Sequence, residues 1–314
     1  MVKREKHKDR MIITAGSSYL DIDAYACCIA MAELLNLKGI NAKAYSKATP
    51  NYSVCKSLIE GNAIQCDFSQ DIDFNSANYI IVDVSDPNFL KDSVPLDRVA
   101  AVYDHHTGFE DYWKNRIGED AHIEFIGAAA TLIFREWKKS GLLEKMRGST
   151  AKLLVAAILD NTLNLTSQNT TNEDREAFHY LCKHAKINKD WCAEYFLEVQ
   201  SNIEADLKNS IFHDLKRNQD IPQLPKRIGQ LCIWDSSSIF DKIADIRSWF
   251  HESPDNWMMN VIDIQNNCSY FVCDDKEIQS NIENIFQVTF QNGIAKSSRS
   301  YLRKEIIKKA CKYC

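Results

Sequence analysis

Two short runs of apolar residues, each ending in an aspartate, limit most strongly what this chain can fold into. They are Tyr79-Ile-Ile-Val-Asp83 and Arg98-Val-Ala-Ala-Val-Tyr-Asp104. A strand that is apolar at nearly every position belongs in a sheet covered on both faces, and such sheets are parallel. Helical patterns alternate with these runs, as at Ala24–Leu37 and Ala128–Lys139. The sequence therefore predicts an α/β fold whose N-terminal part is a doubly wound, mostly parallel sheet.

The chain of 314 residues is long enough for two domains, since a single domain has a typical size of about 100–150 residues. The alternating pattern weakens near Ile187-Asn-Lys-Asp190, and a helical stretch follows. Beyond Pro225, β-like runs cover residues 227–234, 257–264 and 269–273. We therefore predict an N-terminal domain of residues 1–190 and a smaller mixed α/β domain of residues 191–314.

The composition excludes several classes of protein. Hydrophobic residues make up 45% of the chain and charged residues 26%, which is the ordinary balance of a folded globular protein rather than a disordered one. A net charge of −5 argues against a protein that coats nucleic acid or an anionic membrane. No apolar run reaches the ~20 residues of a membrane span, and no signal-like apolar segment follows the basic N-terminus. We expect a cytoplasmic protein.

Acidic and histidine side chains recur where predicted strands end or in the loops that follow. They are Asp21 and Asp23, then Asp83, then Asp104-His105-His106, and finally Asp160. Taken singly, each is most simply a helix cap or a surface group. One parallel sheet, however, brings the carboxyl ends of its strands to a common edge, where folds of this class bind their ligands. We therefore expect these side chains to converge.

Carboxylates crowded at one edge repel one another unless cations lie among them. Oxygen ligands combined with imidazole suit Mn²⁺ or Mg²⁺, with Co²⁺ as a further choice, whereas no cluster of cysteines in the sequence indicates structural zinc. Two such ions about 3.5–4 Å apart, bridged by a shared carboxylate, activate water and bind a phosphoryl group. The residues thus predict a metal-dependent hydrolase of phosphoesters or phosphoanhydrides.

The order of these residues resembles the DHH phosphoesterase superfamily. The likeness rests on Asp104-His105-His106 after an apolar strand, with Asp21-x-Asp23 upstream and Asp160 downstream, and it extends over most of residues 11–165. Gly127-Ala-Ala-Ala-Thr131 and Leu154-Val-Ala-Ala-Ile-Leu-Asp160-Asn-Thr162 also resemble segments that follow the histidine motif of the family.

The C-terminal part resembles one branch of that superfamily, the manganese-dependent family II inorganic pyrophosphatases and exopolyphosphatases. Asp214-Leu-Lys216 is similar to a D-x-K element of this branch, and Arg303-Lys304 is similar to its substrate-binding pair. The glycine-rich motif of the exonuclease and phosphodiesterase branch does not occur in the chain. The resemblance implies a hydrolase of pyrophosphate or polyphosphate that uses metal-activated water, with the active site in the cleft between the two domains.

The resemblance also implies a role for each residue. One metal is held by Asp23, Asp83, His105 and Asp160, and a second by Asp21 together with the bridging Asp83. His106 contacts the phosphoryl group, Asp104 orients an imidazole, and Asp104, His105 and His106 form the catalytic motif. Lys216, Arg303 and Lys304 bind substrate phosphate.

One position departs from the family pattern. Family II pyrophosphatases have a histidine four residues before the first aspartate of the D-x-D pair, whereas this chain has Ser17. Serine is a poorer ligand than imidazole, so we expect two ions of which one is more weakly bound. Some exopolyphosphatase-like relatives also lack this histidine.

Two alternatives stay open: a phosphodiesterase acting on short oligonucleotides or cyclic dinucleotides, and a regulatory phosphate-binding protein that has lost turnover.

The expected partner is a small phosphorylated substrate, either pyrophosphate or polyphosphate. We expect no stable complex with nucleic acid and no membrane association. The sequence allows a homodimer without requiring one.

Overall fold

The computed structural model of the chain divides into two compact units, which are described in turn. The first unit comprises Met1–Cys192 and the second Ala193–Cys314. The residues that the structure describes are 10–16, 20–62, 65–68, 77–90, 93–218 and 220–313. Ser17 lies outside these residues, so the expectation attached to it stays a prediction.

The first unit is built on a five-stranded sheet in which every pairing is parallel. Its strands are β1 (Arg10–Thr14), β2 (Ala42–Ala44), β3 (Ala77–Val82), β4 (Val99–Asp104) and β5 (Ala121–Ile123). They lie in the order β2-β1-β3-β4-β5. Ile12, Tyr79, Ile81 and Val102 pack in one buried cluster with Trp113, as expected for strands covered on both faces. The predicted parallel α/β arrangement is confirmed.

The strand order contains a switch point between β1 and β3. From β1 the chain first adds β2 on one side and then β3 on the other, so the connections leave β1 and β3 in opposite directions. A crevice opens outside the carboxyl ends of two strands at such a point, and open α/β sheets bind their ligands there. Asp21 follows β1 and Asp83 follows β3.

Helices surround this sheet. They are α1 (Ile22–Leu37), α2 (Lys56–Glu60), α3 (Glu110–Ile117), α4 (Ala129–Ser140), α5 (Gly148–Asn161) and α6 (Asn172–His184). Helix α1 is buried at every residue from Ile22 to Leu35, because it contacts α4 and α5 as well as the sheet. A helix that is apolar on all sides is stable only in such an enclosed position.

Helix α1 carries two buried carboxylates that cap other helices. Asp23 accepts hydrogen bonds from the amides of Ala129 and Ala130 at the start of α4, both at 2.8 Å. Glu33 accepts from the amide of Arg147 at 2.9 Å and from the hydroxyl of Thr150, at the start of α5. Neither α4 nor α5 has a side-chain cap from its own N-cap residue. Two orphan amides of α4 and the N-cap amide of α5 are therefore satisfied from α1.

The second unit contains a mixed five-stranded sheet in the order β10-β9-β8-β7-β6. Its strands are β6 (Lys216–Arg217), β7 (Arg227–Ile233), β8 (Trp257–Asp263), β9 (Cys268–Val272) and β10 (Ile294–Lys296). Strands β7 and β8 are parallel, and the other pairs are antiparallel. The helices of this part of the chain are α7 (Trp191–Ala205), α8 (Leu207–His213), α9 (Ser237–Phe240), α10 (Ile243–His251), α11 (Lys276–Phe286) and α12 (Arg303–Ala310). The boundary between the two units falls within α7.

One face of the second sheet packs on α11 and α12. Met258 and Phe271 of the sheet lie in a buried cluster with Ile282 of α11 and Ile306 of α12. Among the residues that the structure describes, no helix has the length and apolar character needed to cross a membrane.

Candidate active site at the carboxyl edge of the first sheet

Asp83 directly follows β3 and has a backbone φ of +57°. This left-handed conformation is uncommon outside glycine, although Asp and Asn adopt it more readily than other residues. The amide of Asp83 donates to the carbonyl of Tyr103 in β4 at 2.8 Å, which holds the turn against the neighbouring strand. Backbone conformations of this kind cost of order 1–3 kcal/mol and are concentrated at functional sites.

His105 follows the last residue of β4 and is buried. Its Nδ1 lies 2.9 Å from the carbonyl oxygen of Gly127 and 3.3 Å from that of Ile126. Carbonyl oxygens only accept hydrogen bonds, so Nδ1 carries the proton and Nε2 of the neutral ring is an acceptor. That Nε2 lies 3.4 Å from Oδ1 of Asp83.

Two acceptor atoms that face each other at 3.4 Å repel, unless a cation or a proton lies between them. Ligands that are adjacent around a small divalent ion, each about 2.1 Å from it, are separated by roughly 3 Å. The Asp83 carboxylate and the His105 imidazole therefore form a pair of donors whose separation suits a shared metal ion.

His106 is held in a different way from His105. Its Nδ1 lies 2.8 Å from Oδ1 of the buried Asp104, and its backbone amide donates to the same oxygen at 3.0 Å. A carboxylate only accepts, so Nδ1 of His106 is protonated and Nε2 is the available nitrogen. The side chain of His106 is 56% exposed, so its ring is open to solvent. Oδ2 of Asp104 has no hydrogen-bond partner among the described residues.

Asp83, His105 and His106 each offer a ligand atom, and these atoms lie within 4.8 Å of one another. One carboxylate and two imidazoles are donors that Mn²⁺ accepts. Nδ1 of His106 is the nitrogen near Asp83, at 3.9 Å, but it already donates to Asp104. Binding an ion through that nitrogen would break the hydrogen bond to Asp104. The donor set of Asp83 and His105 fits a metal more directly than His106 does.

Asp21 and Asp23 lie at the start of α1. Asp21 is the N-cap residue, and its Oδ1 accepts from the amide of Ala24 at 3.0 Å. Asp23 is fully buried, and burial, followed by the nearby negative charge of Asp21, raises the pKa of its carboxyl group. A cation bound close to the pair would counter both effects. Because each carboxylate oxygen has two lone pairs, the bonds from Ala129 and Ala130 leave Asp23 able to bind an ion as well.

The sequence predicts Asp160 at a strand end or in the loop that follows, but Asp160 is the penultimate residue of α5, where it is partly buried. In the part of the chain that the structure describes, the group of three ligand atoms contains neither Asp21, Asp23 nor Asp160. The metal-binding roles of these three aspartates stay predictions.

The substrate-binding residues expected in the C-terminal domain lie in the second unit. Lys216 is exposed in β6, and Lys304 is exposed in the first turn of α12. Arg303 begins α12 and donates to Asp214 twice, from Nη2 to Oδ1 at 2.8 Å and from Nη1 to the backbone carbonyl at 2.7 Å. The guanidinium is thus joined to the first residue of Asp214-Leu-Lys216.

No protein-family model matches the chain, but individual curated proteins and solved structures are similar to it. A curated protein of Enterococcus faecalis, named as a manganese-dependent inorganic pyrophosphatase, is 24% identical over 310 residues, which cover 90% of this chain and 92% of that protein. A crystal structure described as a family II inorganic pyrophosphatase of Methanococcus jannaschii has a TM-score of 0.69 at 18% identity, over 96% of this chain and 98% of the other. An exopolyphosphatase-related protein from Bacteroides fragilis has a TM-score of 0.53 at 14% identity, over 98% of this chain and 93% of the other.

The resemblance to the DHH phosphoesterase superfamily is confirmed. The relatives named above belong to the branch of family II pyrophosphatases and exopolyphosphatase-related proteins, as the sequence predicts. At these identities the two crystal structures show the fold alone, namely a parallel α/β sheet followed by a mixed sheet. The pyrophosphatase homologues support a phosphohydrolase, and their names imply manganese.

Two residues of the first unit that belong to none of the motifs connect the loops of the site. The hydroxyl of Ser85 donates to the backbone carbonyl of His106 at 3.1 Å, and Nε1 of Trp113 donates to the carbonyl of Ser85 at 2.6 Å. Trp113 is fully buried on α3. These bonds fix the loop after Asp83 to the loop that carries His105 and His106. The only sequence signal for Ser85 is its position two residues after Asp83.

Proposed function

We propose that this chain is a manganese-dependent phosphohydrolase that cleaves a phosphoanhydride bond in inorganic pyrophosphate or short polyphosphate. The observation that carries the proposal is the Asp83–His105 pair, in which two acceptor atoms face each other at 3.4 Å in a buried position at the carboxyl edge of a parallel sheet. The manganese-dependent homologues support the choice of ion and of substrate class.

In this proposal the metal-binding residues are Asp83 and His105, together with Asp21, Asp23 and Asp160. They bind two ions, one of them with lower affinity. Mg²⁺ and Co²⁺ are the other ions that such a donor set accepts. Bound there, the metal supplies an activated water and neutralises phosphoryl charge. The domain of residues 1–190 provides these ligands, and the domain of residues 191–314 provides Lys216, Arg303 and Lys304 for the substrate phosphate.

His106 contacts the phosphoryl group in this proposal. Asp104 fixes Nδ1 of the ring, so Nε2 is the nitrogen presented to solvent and to substrate. When protonated, that nitrogen donates a charged hydrogen bond to a phosphoryl oxygen, which is stronger than a neutral one. Asp104 stabilises the charged imidazole and holds its orientation.

The test measures phosphate release from pyrophosphate and from polyphosphate, and mononucleotide release from a short dinucleotide, each with Mn²⁺, Mg²⁺ and Co²⁺. We expect release from at least one of the inorganic substrates, fastest with Mn²⁺, and its loss in His105→Ala. His184→Ala is the matched control, because the His184 ring also contacts a backbone carbonyl, that of Met146 at 2.7 Å. The control is expected to retain the wild-type rate.

Three results would contradict the proposal. A folded His105→Ala protein with the full rate would remove the metal site from the reaction. Release of mononucleotide alone would indicate a phosphodiesterase of short oligonucleotides. Absence of turnover on all three substrates, with Mn²⁺ bound, would indicate a phosphate-binding protein that has lost catalysis.

A further inference from the structure

We propose that Asp174 is a positioning residue for the metal site and that it acts on His105 through the backbone of Gly127. This inference rests on the proposed function, since it concerns how a metal-binding imidazole is oriented. Asp174 lies in the first turn of α6, outside every motif that carries the resemblance to the DHH superfamily.

Gly127 joins the two side chains by its two backbone groups. Its carbonyl oxygen lies 2.9 Å from Nδ1 of His105, and its amide donates to Oδ2 of Asp174 at 3.0 Å. The carbonyl decides which ring nitrogen carries the proton, and therefore leaves Nε2 as the acceptor that faces Asp83. The amide held by Asp174 belongs to the Ile126–Gly127 peptide, whose own carbonyl oxygen lies 3.3 Å from Nδ1. By holding this peptide, Asp174 positions the backbone that carries both carbonyls facing Nδ1, and with them the tautomer and the direction of the imidazole.

Asp174 is itself firmly held. It is fully buried, and Oδ2 also accepts from the amide and the hydroxyl of Thr171, both at 2.7 Å. Oδ1 accepts from the hydroxyl of Thr131 at 2.6 Å. Hydrogen bonds to a charged acceptor are roughly twice as strong as neutral ones. The carboxylate therefore links the start of α6, the first turn of α4 and the Gly127 peptide into one rigid unit.

Position 127 requires glycine because the side chains of Asp174 and Thr162 lie close to its backbone. A Cβ at this position would lie 2.6 Å from Oδ2 of Asp174 and 2.6 Å from Cγ2 of Thr162. Its φ is not in the left-handed region, so space rather than backbone conformation requires glycine. Any side chain would push the Gly127 carbonyl away from its present relation to His105.

If Asp174 only stabilised the fold, its loss would lower stability without changing Mn²⁺ affinity or the His105 tautomer. Glu33 provides the comparison, because it is also a buried carboxylate that caps a helix from outside, through the amide of Arg147 and the hydroxyl of Thr150. The end of α5 that Glu33 caps is about 18 Å along the helix from Asp160, at 1.5 Å per residue. Loss of Glu33 should therefore lower the free energy of unfolding but leave unchanged the Gly127 carbonyl that accepts from His105.

The experiment measures Mn²⁺ affinity by calorimetric titration and the His105 tautomer by nitrogen NMR of the metal-free protein. We expect wild type to show one tautomer with the proton on Nδ1. Asp174→Ala should bind Mn²⁺ about 10–100-fold more weakly and show a mixture of tautomers, as loss of groups that orient metal ligands does. Glu33→Ala should retain the wild-type affinity and tautomer.

Asp174→Asn is the conservative rescue. Its amide oxygen can accept from Gly127 and Thr171 while its NH₂ group donates to the Thr131 hydroxyl. We expect an affinity within about threefold of wild type and a single tautomer. If Asp174→Ala does not fold, Gly127→Ala tests the same step, with Gly148→Ala as its control, since a Cβ there meets only the Cα of Ala185 at 3.9 Å.

The outcomes separate the two claims. If the wild-type protein and His105→Ala bind Mn²⁺ equally, the proposed metal site fails, whatever the Asp174 variants do. If His105→Ala loses binding but Asp174→Ala and Gly127→Ala retain it, or if Glu33→Ala weakens binding as much as Asp174→Ala, the positioning role of Asp174 is overturned.

Discussion

At the scale of single residues, the candidate site depends on Asp83, whose left-handed backbone directs a carboxylate at His105. Asn tolerates this backbone region as well as Asp and has nearly the same shape, so a substitution can remove the charge without removing the turn. Asp83 is therefore the position at which metal binding and folding are most easily separated.

We predict that Asp83→Asn folds with an undiminished free energy of unfolding in the metal-free state and binds Mn²⁺ at least about tenfold more weakly. The first part follows because the substitution removes the repulsion between the carboxylate and Nε2 of His105. Urea unfolding and calorimetric titration measure the two parts. Wild-type Mn²⁺ affinity in a folded Asp83→Asn protein would show that Asp83 is not a ligand.

Asp104 and His106 allow a second prediction, because Asp104 contacts His106 rather than the Asp83–His105 pair. Asp104→Asn should lower kcat by at least about tenfold, since the amide no longer stabilises a charged imidazole, while Mn²⁺ affinity changes little. Steady-state kinetics and metal titration on the same protein provide the check. The opposite result, weak Mn²⁺ binding with normal kcat at saturating metal, would mean that His106 is a metal ligand.

Some residues of the site can be predicted from the sequence, and others cannot. Asp83 and Asp104-His105-His106 were predicted because each ends an apolar strand, and a local pattern is enough to find them. Asp174 could not be found in this way. Thr171-x-x-Asp174 predicts a capping box for α6, but the bond from Asp174 to Gly127 spans 47 residues and exists only in the folded chain.

At the scale of elements, α1 fixes the starts of two other helices. Asp23 and Glu33 lie on one helix and cap α4 and α5 respectively. Both target helices begin after residues that make no side-chain cap of their own, Ala128 and Arg147. Sequence rules for helix starts look only at neighbouring residues, so they cannot predict caps supplied from elsewhere in the chain.

We predict that Glu33→Ala lowers the free energy of unfolding by about 1–2 kcal/mol, the usual cost of losing a helix cap. The amide of Arg147 and the hydroxyl of Thr150 lose their acceptor, and water cannot fully replace it at a buried position. The shift in the urea midpoint at constant m-value measures the loss. An unchanged midpoint would show that the capping bonds of Glu33 contribute nothing to stability.

The strands of both units were predicted well where they are long and apolar. The predicted runs at 227–234, 257–264 and 269–273 correspond to β7, β8 and β9. The shorter edge strands β6 and β10 were not predicted, since two or three residues carry too little periodicity. Pairing direction in the mixed sheet also depends on the connections between strands rather than on any single run.

At the scale of the whole molecule, the proposed metal site links metal binding to folding. An ion that binds the folded state alone stabilises it by RT ln(1 + [L]/Kd), about 2.7 kcal/mol when the free concentration is one hundred times Kd. The Asp83–His105 pair exists only when the loops after β3 and β4 meet, so the unfolded chain offers no comparable site.

We therefore predict that Mn²⁺ raises the thermal unfolding temperature of wild type in a concentration-dependent way, and that the rise is much smaller in His105→Ala. Calorimetric scans at several Mn²⁺ concentrations measure the effect, with His184→Ala as the control that should follow wild type. An equal rise in all three proteins would indicate binding elsewhere on the chain.

The most direct test of the central claim compares phosphate release from pyrophosphate and polyphosphate by wild type and Asp83→Asn, each with Mn²⁺ and with a chelator. We expect release by wild type that requires Mn²⁺ and falls at least about a hundredfold in Asp83→Asn, since Asp83 is in our proposal the ligand shared by both ions. Release that survives the chelator, or an Asp83→Asn protein as fast as wild type, would contradict the assignment of this edge of the sheet as a metal-dependent phosphohydrolase site.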